Sequence, residues 1–243
     1  FGWDDTFYYA WLRSAFVGGD ADFADEIRDA PTLPDALKIR TLAGPRTEAG
    51  RIPNKYPIGW ALCSAPFYVM ADALMLAARG LGWTDLPRDG YGPAYQTIIL
   101  LGQLAYAAAG MVLAFLVLRR FASAEAALLG VALTWLTSFL TYYQTVNLAL
   151  PHSLVFFWVA ATYWLTFRLG EKPEPLWPWA VLGFAGGMLV LCRYQAAVYL
   201  LFPAAWLMGR LRPARQGVPR ALAAAAPLAA LIFLQLLAWK AVY

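Results

Sequence analysis

The sequence predicts an all-α, polytopic membrane protein with about five transmembrane helices and further helices lying on the outer membrane face. Three observations carry that prediction. Of 243 residues, 61% are hydrophobic and only 14% are charged, whereas soluble domains run near a quarter charged. Uncharged stretches recur at roughly the 17–25 residues a helix needs to cross a bilayer. Arg and Lys gather in short clusters between those stretches, as they do in cytoplasmic loops.

The first ninety residues hold most of the acidic charge: nine of fifteen Asp and Glu lie before residue 56. Residues 4–16 set Phe7, Tyr8, Trp11, Leu12 and Ala15 at helical spacing, with Arg13 and Ser14 off that face. Residues 28–55, rich in Pro, Gly and charge, read as an irregular loop. Residues 56–78 are apolar and helical in pattern, but Pro57, Gly59 and Pro66 interrupt them and Asp72 falls within them. An interfacial or re-entrant helix fits that pattern better than a span. Residues 1–92 therefore read as a first extracytoplasmic loop and 93–243 as a truncated transmembrane bundle.

Within the bundle, residues 94–118 form one uncharged stretch, closed by Arg119 and Arg120. Residues 126–167 carry no formal charge, only His152, and fit two spans joined by a tight turn at 147–151 that ends on Pro151. Residues 175–192 and 194–209 flank Arg193 as a shorter pair, and 221–239 is the last candidate. Three basic clusters, Arg119 with Arg120, Arg168 with Lys172, and Arg210, Arg212, Arg215 and Arg220, lie two spans apart and share one side, the cytoplasm. The turns at His152 and Arg193 and the acidic first segment then face outward. With no initiator Met and an end within apolar residues, the chain is expected to be a piece of a longer one.

Few residues offer chemistry. Asp4 and Asp5 suit the first turn of a helix, where carboxylates offset the dipole. In an apolar helix near a bilayer they equally suit a reaction centre, because unpaired carboxylates there are costly. Asp20 and Asp22 form an Asp-x-Asp unit of the kind hard cations favour, without the other ligands of a calcium loop. His152 is the sole histidine; it completes a cation site only with carboxylates from elsewhere. Arg193 interrupts an apolar run and suits either snorkelling to headgroups or holding a phosphate, with Lys55 as its companion. Cys63 and Cys192 form neither a metal pattern nor a disulfide framework and read as packing residues. No run of basic residues with interleaved aromatics points to nucleic acid.

The order of DDTFYY, Ser14, GGDADF, NKYPIGWALCSAPF, PHSLVFF and GFAGGMLVLCRYQ resembles bacterial membrane glycosyltransferases of the GT-C superfamily. These are relatives of the protein mannosyltransferases and of the aminoarabinose transferases that modify lipid A. The resemblance implies a GT-C-like transferase of the inner (plasma) membrane, acting on the periplasmic face in cell-envelope glycosylation. Its donor would be a polyprenyl-phosphate sugar and its acceptor a hydroxyl of a glycan, lipid or protein. By that similarity Asp4 is the catalytic base, and Asp5 stands where the family usually has Glu. Arg193 and Lys55 would bind the donor phosphate, while Tyr8, Tyr9, Trp11, Tyr56, His152 and Gln195 would line the substrate pocket. No cofactor is required by this chemistry. A divalent metal at Asp20, Asp22 and His152 stays open, Gly19 being a departure from the Asp-Gly-Asp of some relatives. The family's first span would precede Phe1, and its C-terminal half would follow Tyr243. The competing expectation is a transporter or flippase of lipid-linked sugars, which would bind phosphate without chemistry.

Overall fold

The computed structural model describes residues 2–169, 175–210 and 214–243. Every regular element among them is helical. Among the described residues, three helices are long and apolar enough to cross a membrane. The chain divides into two compact units, residues 1–104 with 236–243, and residues 105–235. Both divisions fall inside long helices.

The first unit opens with α1 (Trp3–Arg13), a π-helical turn over Ser14–Gly18, then α2 (Ala24–Asp29) and α3 (Asp35–Leu42). The stretch expected to be an irregular loop thus contains the end of one helix and the whole of another. Such short helices are not stable on propensity alone. Ile27 and Phe23 are fully buried beside α2 and give it the packing it needs. Arg13 and Ser14, expected off the apolar face of α1, are buried at 4% and 1% exposure. The reason is that α1 is covered on more than one side.

The segment expected to be interrupted is one continuous helix, α4 (Gly59–Gly80), running through Pro66. Pro57 and Gly59 fall at its start, where a missing intrahelical bond costs little. At about 33 Å, by the rise of 1.5 Å per residue, it is one of the three membrane-length helices. The chain that leaves α4 folds back along it. Gly90 lies against Tyr68, halfway up the helix, and Arg88 pairs with Asp72. The first turns of α5 (Pro93–Leu118) run antiparallel to α4: Tyr95 donates to Asp72 at 2.6 Å, and Gln103 donates to Ser64 at 2.9 Å. Residues 236–243 close the unit, with the Thr47 hydroxyl donating to the Val242 carbonyl at 2.6 Å. Arg51 likewise donates to the Ala241 carbonyl.

In the second unit the two spans expected over 126–167 are resolved differently. α6 (Ala124–Thr137) is only 14 residues long and stops at Ser138, whose backbone is extended; α7 (Leu140–Thr145) follows as a separate short helix. α8 (His152–Leu169) packs on α9 (Trp177–Cys192). Arg193 is extended and ends α9, so residues 194–209 are not one helix. They are a 3-10 segment over Tyr194–Leu200 followed by α10 (Leu201–Arg210). α11 (Ala214–Val242) is the third membrane-length helix. On α9, Gly183 and Gly187 sit where a Cβ would overlap the Ala224 carbonyl and the Leu231 side chain of α11. Small residues at this spacing let helix backbones approach closely. Of the basic clusters that set the expected orientation, Lys172 and Arg212 lie outside the described residues, as do the side chains of Arg210 and Arg215.

Candidate functional site

The two adjacent carboxylates have opposite surroundings. Asp5 is buried and accepts the Gly2 N–H at 2.8 Å, closing the first turn of α1. Burial pushes its carboxyl up, against that hydrogen bond. Asp5 therefore behaves as a helix start, which is the structural role its position allowed. Asp4 is exposed, faces no cation among the described residues, and accepts a hydrogen bond from the Tyr56 hydroxyl.

Tyr56 is itself fixed to α1. Its ring stacks on Phe7 at 5.8 Å and meets Tyr8 at 4.7 Å. Its carbonyl accepts the Trp11 indole N–H at 2.8 Å. Asn54, fully buried, donates to the Phe7 carbonyl at 2.9 Å and accepts the Tyr56 N–H at 3.1 Å. The Lys55 ammonium lies 5.4 Å from the Tyr56 ring. The Asn-Lys-Tyr segment is thus pinned to the aromatic face of α1 and delivers a phenol to Asp4.

Other expected pocket residues serve the core. Tyr9 has no exposed surface, donates to the Gly90 carbonyl and packs on Trp60 and Tyr91. Burial raises its phenol far above the ordinary value, so it stays neutral. Trp11 packs edge-on against Phe23 at 4.9 Å. Asp20 ties the turn after α1, accepting from Ser14 and from the Asp22 N–H, and Asp22 faces Arg46 at 3.9 Å. No group of three or more His, Cys, Asp or Glu that could hold a metal occurs among the described residues.

Arg13 is the site residue that spacing alone hid. Its guanidinium, 4% exposed, pairs with Asp25 at 3.0 Å, Glu26 at 3.3 Å and Asp29 at 3.1 Å. It also donates to the Asp89 carbonyl at 2.8 Å and lies 4.7 Å from the Tyr91 ring centre. Burial, then the adjacent Asp25 carboxylate, push Glu26 up to about 8. Burial opposes ionisation of Asp25 too, but hydrogen bonds from Glu26 and the charge of Arg13 hold it below its ordinary value. This cluster binds α1, α2 and the returning segment into one body. The sequence signal that could have found it is the grouping of Asp25, Glu26 and Asp29 within one helical turn, with Arg13 shortly before them in the chain.

In the second unit, Arg193 Nη1 donates to His152 Nε2 at 3.1 Å. Arginine only donates, so this ring nitrogen accepts. The imidazole stacks on Tyr143 at 3.7 Å. Arg193, His152 and Gln195 line one part of a cavity of about 480 Å³ whose other walls, Phe139, Val155, Phe156 and Val159 among them, are mostly apolar. Arg193 has no carboxylate partner among the described residues. The arrangement suits an amphiphile with an anionic head.

No family model, curated protein or solved structure matches the chain.

Proposed function

We propose that the protein is a GT-C-type membrane glycosyltransferase, moving a sugar from a polyprenyl-phosphate donor to an acceptor hydroxyl on the extracytoplasmic face. The observation that carries this reading is Asp4: an exposed carboxylate with no ion pair among the described residues, hydrogen-bonded to a Tyr56 that buried Asn54 and half-buried Trp11 hold in place. Asp4 takes the acceptor hydroxyl proton as that oxygen bonds to the anomeric carbon. The bond from that carbon to the phosphate oxygen breaks, and its electron pair leaves on polyprenyl phosphate. One attack from the opposite face inverts the centre. General-base help of this kind contributes about 10²–10⁴-fold. Taken by itself, the second unit offers Arg193, beside His152, as a phosphate-binding guanidinium of the kind that stabilises growing negative charge. Asp5 supports the helix start.

The membrane arrangement belongs to this reading as well: six crossings, one for each span named in the sequence, in place of about five, with the basic clusters inside and the Asp4 segment outside. One contact within the first unit supports that arrangement. Thr47 meets Val242 at the far end of α11, and a helix that starts at the inner basic cluster and crosses once ends outside, where the Asp4 segment is expected.

The test is incubation of the protein in membranes with candidate polyprenyl-phosphate sugars. Release of polyprenyl phosphate by the wild type, and its loss by at least 10²-fold in Asp4→Asn, is the expected outcome. Turnover by Asp4→Asn at the wild-type rate removes Asp4 as base. A second reading, transport of lipid-linked sugars, draws on the amphiphilic cavity at Arg193. Binding of the donor without any release would favour it.

A further inference from the structure

Beside Asp4 the first unit holds a second cavity, of about 440 Å³, that the sequence did not reveal. Its volume lies within the ~300–1,000 Å³ of small-molecule sites. α1 contributes Trp3 and Phe7, α3 contributes Arg40 and Thr41, and Pro45 and Pro53 come from the loop between α3 and α4. Trp3 and Phe7 meet edge to face at 5.1 Å, and Trp3 stays 39% exposed. Arg40 is exposed and is engaged in no ion pair or hydrogen bond among the described residues.

The position of this cavity follows from helix geometry. Trp3 and Phe7 are one turn apart on the same face of α1, and Asp4 lies between them in sequence. Residues three apart on a helix have Cβ atoms about 5–6 Å apart, so the Asp4 side chain starts at the rim of the wall that Phe7 forms. Tyr56 bridges the two, stacking on Phe7 and donating to Asp4 Oδ1. The second carboxylate oxygen is left for another donor. An exposed indole offers a flat face to the C–H side of a sugar ring. A guanidinium with no partner offers a fork to a carboxylate or phosphate.

We propose that this cavity is the acceptor subsite, and that its ligand is a pyranose ring carrying a negative charge. The ring rests on Trp3, the charge meets Arg40, and one ring hydroxyl reaches Asp4. The role as acceptor rests on the reading of Asp4 as base; the binding chemistry does not. A purely apolar chain would leave Arg40 unanswered, and a bare anion would leave Trp3 without a partner.

The test is saturation-transfer NMR on the full chain in detergent, with four probes: a hexuronate, a hexose 6-phosphate, the neutral hexose and inorganic phosphate. Saturation of ring protons is expected for both charged sugars, with about three- to tenfold weaker binding of the neutral one. Arg40→Ala should reduce the charged sugars to the level of the neutral one, and Arg40→Lys should restore part of the difference. Trp3→Ala should remove the ring signal, and Trp3→Phe should keep part of it. Asp4→Asn should change the affinity of charged and neutral sugars alike and keep the preference for the charged ones. Equal binding of charged and neutral hexose, full displacement by inorganic phosphate, or binding indifferent to Trp3→Ala and Arg40→Ala would overturn the proposal. If charged sugars bind as expected while Asp4→Asn still transfers, the binding site stands and the base assignment falls. If Asp4→Asn is inactive and no charged sugar binds, the base stands and this subsite falls.

Discussion

Glu26 is a fully buried carboxyl group facing Arg13, Asp25 and Tyr91. Its folded-state value of about 8 lies above its ordinary 4.5. Between those values the folded chain keeps a proton that the unfolded chain has released. Stability from this group is therefore present below pH 4.5 and is lost as pH rises through 8. The thermal midpoint of the detergent-solubilised protein should fall from pH 5 to pH 8.5, and Glu26→Gln should flatten that dependence. A midpoint that rises over this range, or an unchanged slope in Glu26→Gln, would refute the assignment. Asp25 acts in the opposite window: held below its ordinary value, it contributes stability above that value, which is lost as pH falls from there through its lower folded-state value. Neither property was legible in the sequence, where a run of carboxylates reads as a solvated face. What separates the two neighbours is which one α2 turns inward.

At the scale of helices, the contact between α9 and α11 depends on the absence of side chains at Gly183 and Gly187. A Cβ at Gly183 meets backbone, which cannot rotate away. Gly183→Ala should cost about 1–3 kcal/mol or more through overpacking, read as a lowered unfolding midpoint. Ala204→Gly, on α10 where the residue is exposed, should stay within the helix-propensity cost of about 1 kcal/mol. Equal midpoints for Gly183→Ala and the wild type would show that the helices do not touch there. The long helices were legible because uncharged length is a strong signal. Their breaks were not. Nothing in the local composition marks Ser138 as extended, or makes 194–200 a 3-10 segment after Arg193. Those breaks are set by packing, as is the helicity of α2. Prolines misled in the other direction, because Pro66 is carried inside α4 without ending it.

At the scale of the whole molecule, the open question is α4, which has the length and composition of a span. Its middle turns are clothed by polar chain: Asp72 pairs with Arg88, and Gly90 lies on Tyr68. The segment just beyond is anchored to Arg13 and Glu26 through Asp89 and Tyr91. Burying that charge within hydrocarbon is costly, so α4 is expected to lie at a membrane surface with both ends on one side. A membrane-impermeant maleimide should label Lys55→Cys and Trp83→Cys from the same side of sealed vesicles. Labelling from opposite sides would make α4 a crossing helix. The candidate site was legible only in part. Asp4 stood out through the order of the motifs, but its partner Tyr56 is 52 residues away, and Arg40 lay in a stretch read as loop. The bonds from Thr47 and Arg51 to the carbonyls of Val242 and Ala241 carry one more consequence, for biosynthesis. The loop that walls the Asp4 region emerges from the ribosome long before the residues that secure it. Nearly two hundred residues must be made in between, so the Asp4 region is secured late, after the helices that follow it have been synthesised.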